Sequence, residues 1–105
     1  MAFEPYNLSG RTALITGSAG LLGIQHASAL LEAGAQVVLT DIRMQDLLTA
    51  KEKLSEVYSD QLIYIRTMDV TDKKNIHEIF ENLKTENFRI DILINNAAID
   101  PKVDG

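Results

Sequence analysis

Four short apolar runs alternate with three longer segments of helical spacing, and this alternation limits the fold more than any other feature. The runs are Thr12–Thr16, Gln36–Asp41, Leu62–Met68 and Ile90–Asn95. They are rich in β-branched residues and nearly continuous in hydrophobicity, the pattern of parallel strands covered on both faces. In the first intervening segment Leu22, Ala29, Leu30 and Ala33 can share one face, and Gly34 follows as a stop. In the second, Leu47, Leu48, Leu54 and Val57 form an apolar stripe, with Lys51, Glu52, Lys53 and Glu56 on the wet side. In the third, Ile76, Ile79, Phe80 and Leu83 recur at three- and four-residue spacing, and Thr71 or Asp72 can cap the start.

Strand–helix alternation predicts an α/β domain with a parallel sheet. Right-handed crossovers put the first two helices on one face. With the fourth strand on the far side of the first, the strand order is 3-2-1-4. That reversal makes the sheet doubly wound and opens a crevice at the carboxyl ends of the strands, where nucleotides bind in such folds. The chain has 105 residues, the length of one small domain, so residues 1–105 are read as a single unit. The stretch from Ile99 to Gly105, with Pro101 inside it, reads as irregular.

Composition narrows the chemistry. Hydrophobic residues make up 46% and charged residues 24%, which is globular rather than disordered. The net charge of −5 is mixed along the chain and offers no basic footprint for nucleic acid or anionic lipid. The absence of cysteine excludes disulfides, thiolate metal sites and cysteine nucleophiles, and no metal site is read. His26 and His77 lack ligand-like neighbours and read as structural residues. Residues 1–10 lack the pattern of a signal peptide, and no apolar run approaches the roughly 20 residues that span a bilayer. The expectation is a cytoplasmic protein without a nucleic-acid or membrane partner.

The first strand runs directly into Thr16-Gly17-Ser18-Ala19-Gly20-Leu21-Leu22-Gly23 and then into a helix. Gly17 would let the chain reverse at the strand end. Gly20 would let backbone approach a pyrophosphate, and Gly23 would let the helix pack closely. Amides at the helix start would then face the phosphates. By spacing alone the triplet also fits a tight turn without a ligand. The strand before it, the helix after it and an acid at the next strand end are the context the dinucleotide fingerprint requires. That acid is Asp41, which follows Gly23 by 18 residues, near the offset of about 20 for a ribose-binding carboxylate. A carboxylate there accepts from both ribose hydroxyls and repels a 2′-phosphate, so NAD is expected and NADP is disfavoured. Arg43 reads first as surface, and otherwise as a residue able to pair with such a phosphate. Without the glycines, Asp41 also fits a cap for the next helix.

Three further features complete a resemblance to the short-chain dehydrogenase/reductase family, over essentially the whole chain. Leu8-Ser9-Gly10-Arg11 leads into the first strand, Asp69-Val70 ends the third before Thr71, and Asn95-Asn96-Ala97-Ala98 ends the fourth. The resemblance implies a Rossmann-type sheet and assigns roles. Asp69 would accept from the adenine amino group, and the Val70 amide would donate to the ring. Ile42 would pack on an adenine face. Ser18 and Leu22 would lie along the pyrophosphate, largely through backbone. Asn95 would tie the central strands together, with Thr16 bracing the loop against that turn. Ala97 and Ala98 would pass close to the cofactor ribose. On chemistry alone, Asp69 also fits a cap for the third helix, and Asn95-Asn96 a turn. The chain departs from the family's short form in its glycine spacing, TGxxGxxG rather than TGxxxGxG, with Leu21 at the middle position. Ala98 also replaces a glycine that often ends the Asn-Asn-Ala motif.

The resemblance implies hydride transfer between nicotinamide and an alcohol or ketone, sugar-like ones included. A tyrosine would do the acid/base work, with a lysine four residues later and a serine beside it. The tyrosines here are Tyr6, Tyr58 and Tyr64, and the residues four positions on are Gly10, Leu62 and Met68. No catalytic residue is therefore assigned. The chain is read as the truncated, NAD-binding half of a longer enzyme, inactive alone. Its apolar fourth strand is expected as an exposed edge that drives self-association. Two alternatives stand beside this reading: a non-catalytic nucleotide-binding or self-associating module, and a methyltransferase, which the Asn-Asn-Ala turn fits poorly.

Overall fold

The computed structural model describes residues 7–96. Its elements are β1 (Thr12–Thr16), α1 (Leu21–Glu32), β2 (Gln36–Asp41), α2 (Met44–Ser55), a 3-10 turn at Asp60–Leu62, β3 (Ile63–Thr67), α3 (Lys73–Thr85) and β4 (Ile92–Asn95). The strands form one parallel sheet in the order β3-β2-β1-β4, as the alternation predicts. Leu14 of β1 stands opposite Val38 on one side and Leu93 on the other.

Strand residues alternate between two apolar layers. Ala13, Ile15, Val37, Leu39 and Ile63 pack with Ala27 and Leu31 of α1 and with Leu47, Ala50 and Leu54 of α2. Leu14 and Val38 point the other way, toward Leu83 of α3, Met68 and the half-buried Tyr64, Phe80, Phe88 and Ile90. Burial on both faces explains why β1 and β2 read as continuous apolar runs. It also puts α1 and α2 on one face and α3 on the other, as right-handed crossovers require.

Four local expectations are corrected. The buried stripe of α1 is Gly23, Ala27 and Leu31, not Leu22, Ala29, Leu30 and Ala33; Leu22 and Ala29 are exposed. In α2, Ala50 joins Leu47 and Leu54 in the core, whereas Leu48 is exposed and Val57 lies beyond the helix end at Ser55. The third strand starts at Ile63 rather than Leu62, because residues 60–62 wind into a 3-10 turn begun by the Ser59 hydroxyl accepting from Gln61 N–H. The fourth starts at Ile92 rather than Ile90, which instead packs on the α3 side. The expected caps narrow to one: Asp72 Oδ1 accepts from the amides of Lys74 at 3.0 Å and Asn75 at 3.2 Å.

The α1 stripe shifts because of one close approach. A Cβ on Gly23 would stand 2.5 Å from the Gly17 carbonyl oxygen and 2.5 Å from the Ser18 Cα. Backbone rests on backbone there, and that contact sets which face of α1 turns inward. Gly23→Ala is expected to lower the unfolding free energy by about 1–3 kcal/mol, read as a fall in denaturant midpoint at constant slope. A Gly23→Ala protein as stable as the wild type would contradict the close packing.

Candidate functional site

The carboxyl ends of the strands carry the residues singled out above, and β1 supplies the centre. Gly17 turns the chain in the left-handed region, at φ 60°, which L side chains adopt at a cost. Ser18 then enters the interior. It is fully buried, and its N–H and Oγ both donate to the Thr40 carbonyl, at 3.1 and 3.0 Å. Ser18 thus supports the loop from beneath, with both its donors given to the Thr40 carbonyl. The Ala19 N–H donates to Asp41 Oδ2 at 3.0 Å, and the Gly20 N–H reaches the Gly17 carbonyl at 3.4 Å.

Beyond Gly20 the pattern changes. No side chain caps α1, and its first turn carries no acid. Among the described residues, the amides of Leu21, Leu22 and Gly23 have no backbone partner. They stand at the positive end of a 12-residue helix. Gly20, just before them, is exposed, and a Cβ there would meet nothing closer than the Gly17 carbonyl at 3.8 Å. An oxyanion fits such a surface.

Asp41 closes β2 beside this loop. Its second carboxylate oxygen accepts from its neighbour Ile42 N–H at 2.8 Å, so two amides fix the carboxylate at the loop's edge and leave it further acceptor capacity. It is not the cap of α2, a position that falls to Arg43 without a side-chain bond. The Ile42 side chain is 62% exposed, an apolar surface beside the acid. Arg43 is exposed as well.

β3 brings a second acid to the same end. Asp41 pairs with Thr67, and the Met68 N–H donates to the Asp41 carbonyl at 2.9 Å. Asp69 follows. Its Oδ1 accepts from the Thr71 hydroxyl at 2.6 Å and the Thr71 N–H at 2.9 Å, and these bonds hold its carboxyl below the usual carboxylate range. Asp69 does not cap α3, since Asp72 does. The Val70 N–H has no partner among the described residues. Asn75 of α3, which sequence reading missed, accepts from the Asp69 N–H at 2.7 Å and fixes the bend.

On the other side of β1, Thr16 pairs with Asn95, and the Thr16 hydroxyl donates to Asn95 Oδ1 at 2.6 Å. The Asn96 N–H donates to the Thr16 carbonyl at 3.2 Å. Asn95 therefore belongs to the strand and links β4 to β1, where chemistry alone also allowed a turn. Ala97 and Ala98 lie outside the described residues. His77 is exposed, and His26 is half-buried with an unpartnered Nδ1. Among the described residues, no cluster of His, Asp or Glu could hold a metal ion, and no helix is long and apolar enough to cross a membrane.

A parallel 3-2-1-4 sheet with open helix amides at its central strand end defines a Rossmann-type nucleotide-binding fold. Comparison with known proteins narrows the class. The family model for short chain dehydrogenase matches residues 11–104. A short chain dehydrogenase/reductase of Gibberella zeae is 39% identical over 93 residues, covering 89% of this chain and 33% of its own length. Human 15-hydroxyprostaglandin dehydrogenase [NAD(+)] is 33% identical over 94 residues, covering 90% and 35%. The RhlG/NADP active-site complex of Pseudomonas aeruginosa superposes with a TM-score of 0.82 at 30% identity, covering 95% of this chain and 39% of that one. The chain belongs to the short-chain dehydrogenase/reductase family, whose members bind a nicotinamide dinucleotide. It spans about a third of the length of the first two relatives. Neither alternative, the non-catalytic module or the methyltransferase, finds support.

The two hydrogen bonds from Thr71 favour the ionised form of Asp69. The sign follows: the Asp69–Thr71 turn is fully held above the ordinary carboxylate range and loosens as pH falls through the lowered value. A carbon-detected NMR titration is expected to place the Asp69 midpoint below that of a free aspartate. Thr71→Val, which removes the larger of the two bonds, is expected to move the midpoint upward. An unchanged midpoint in the variant would rule out the Thr71 hydroxyl as its cause.

Proposed function

We propose that this chain forms the cofactor-binding part of an oxidoreductase that interconverts an alcohol and a ketone, and that it takes NAD in preference to NADP. The observation that carries the reading is that the loop leading to the Leu21, Leu22 and Gly23 amides, which have no backbone partner among the described residues, is bonded through the Ala19 amide to the Asp41 carboxylate. In this reading the amides and Gly20 receive the diphosphate, with Ser18 supporting the loop behind them and Gly17 making its turn. Asp41 accepts from the adenosine ribose hydroxyls. Ile42 and Val70 flank the adenine, and Asp69 accepts from its amino group. Asn95, with Ala97 and Ala98, borders the nicotinamide half. The bound dinucleotide supplies the hydride acceptor or donor. The sequence contains no Tyr-x-x-x-Lys, so no acid/base residue is assigned within it.

The cofactor preference rests on charge. A 2′-phosphate at the ribose would meet a carboxylate whose position two amides already fix, and the like charges would repel. The name of the human relative carries NAD(+), and that of the Pseudomonas complex carries NADP, so the family accommodates both. Calorimetry is expected to give NAD at least tenfold tighter binding than NADP, about 1.4 kcal/mol. Asp41→Asn keeps an oxygen for the Ala19 amide while removing the charge, and is expected to narrow that ratio. Tighter binding of NADP by the wild type would overturn the preference.

Self-association through β4 is part of the same proposal. Among the described residues β4 pairs with β1 alone, and Leu93 is 58% exposed on it. An open apolar edge invites a further strand. Light scattering over a concentration series is expected to show mass rising with concentration; a constant monomer mass would refute this part.

A further inference from the structure

The bonds behind the glycine loop converge on one buried residue, Thr40 of β2. Its carbonyl oxygen receives both donors of Ser18. Its hydroxyl donates to the Ile15 carbonyl of β1 at 2.8 Å. Thr40 therefore holds the chain on both sides of the Gly17 turn: the strand before it through Ile15, and the loop after it through Ser18. The next residue continues the clamp, because Asp41 holds Ala19.

Packing alone does not call for these groups. Thr40 and Ser18 are fully buried, and the strand residues next to Thr40 and its partner, Val38, Leu39 and Ile15, are buried and apolar. A valine would occupy the Thr40 position in a strand with equal ease. A buried hydroxyl is tolerated where it is bonded and costly where it is not. Here the two hydroxyls are bonded to backbone carbonyls at the point where the loop leaves the sheet. The result is directional: Ser18 and Ala19 give their amides to β2, whereas the amides of the exposed Leu21 and Leu22 have no backbone partner among the described residues.

We infer that Thr40 is a positioning residue: its hydroxyl, bonded to the Ile15 carbonyl, fixes the end of β1 against β2 and so holds the glycine loop that follows in its ligand-ready shape before a ligand arrives. A loop already ordered loses less entropy on binding. The inference rests on the dinucleotide reading for the identity of the ligand, but not for the order imposed on the loop.

The test pairs Thr40→Val, which keeps the shape and removes the donor, with Thr40→Ser, which restores a hydroxyl. NAD affinity is measured by calorimetry, and amide exchange by NMR on the ligand-free chain. Thr40→Val is expected to weaken NAD binding by about three- to tenfold, the range of one hydrogen bond. It is also expected to speed exchange at Ser18 and Ala19 while Leu14 and Val38 keep their protection. Thr40→Ser should return both readouts toward wild type. Wild-type NAD binding in Thr40→Val would overturn the inference. So would an equal loss of protection at Leu14 and Val38, which marks general destabilisation. A wild-type chain that binds neither dinucleotide would instead sink the proposed function, whereas equal binding by wild type and Thr40→Val sinks the role of Thr40 alone.

Discussion

Gly23 lies against the backbone of Gly17 and Ser18 at a distance that no side chain could share. The rest of the site follows from that contact. It brings the first turn of α1 against the end of β1 and sets the rotation of the helix, so that Ala27 and Leu31 reach the sheet. The same rotation leaves the amides of Leu21 and Leu22 outside the core. With α1 held away from β1, those amides would no longer stand beside Asp41. Two apolar layers stabilise the domain, but they would do so equally well with a capped helix. What makes this strand end a candidate site is that a glycine stands where packing would otherwise place a small apolar residue.

The amides of the loop divide into two groups. Those of Ser18 and Ala19 are bonded to β2, one to the Thr40 carbonyl and one to the Asp41 carboxylate. Those of Leu21, Leu22 and Gly23 have no backbone partner among the described residues. An unbonded amide in contact with water costs little, whereas a buried one is costly. For Ser18, Leu21 and Leu22 the division follows burial: Ser18 is enclosed, while Leu21 and Leu22 are exposed. The rigid part of the loop and its open part are neighbours in sequence, so the open donors are held by a frame that does not depend on a ligand.

Most of the architecture was legible because it follows from periodicity. Continuous apolar runs mark buried parallel strands, and four of them separated by helical spacing leave few topologies once handedness is fixed. The strand order, the two-to-one division of helices and the acid at the end of β2 follow from that. The inward face of α1 was not legible. Leu22, Ala29, Leu30 and Ala33 make a better apolar stripe on paper than Gly23, Ala27 and Leu31, but a hydrophobicity pattern does not register a contact between backbones. Ser18 and Thr40 escaped for a related reason. A small hydroxyl residue in a turn reads as solvent-facing or ligand-facing, and the bond that draws Ser18 inward spans 22 positions. Asn75 was hidden likewise, as one polar residue among several in a helix, distinguished by the amide it happens to meet. The boundaries of β3 and β4 shifted because Leu62 and Ile90, although apolar, belong to a 3-10 turn and to the α3 layer.

Charge is arranged at the strand ends by the same economy of backbone bonds. Asp41 and Asp69 end adjacent strands, and the described structure gives neither an ion-pair partner. Each is instead held by local donors, Asp41 by the amides of Ala19 and Ile42 and Asp69 by both donors of Thr71. These donors leave each carboxylate with acceptor capacity to spare. A few residues away, α1 presents amides without a backbone partner among the described residues, and the positive end of its dipole. One edge of the sheet thus offers acceptors to neutral groups rich in hydroxyl and amino donors, and donors to an anion. A ligand that carries those two kinds of group side by side, a sugar and base joined to a diphosphate, satisfies both halves at once. A simple anion would answer only the amides, and a simple nucleoside only the acids.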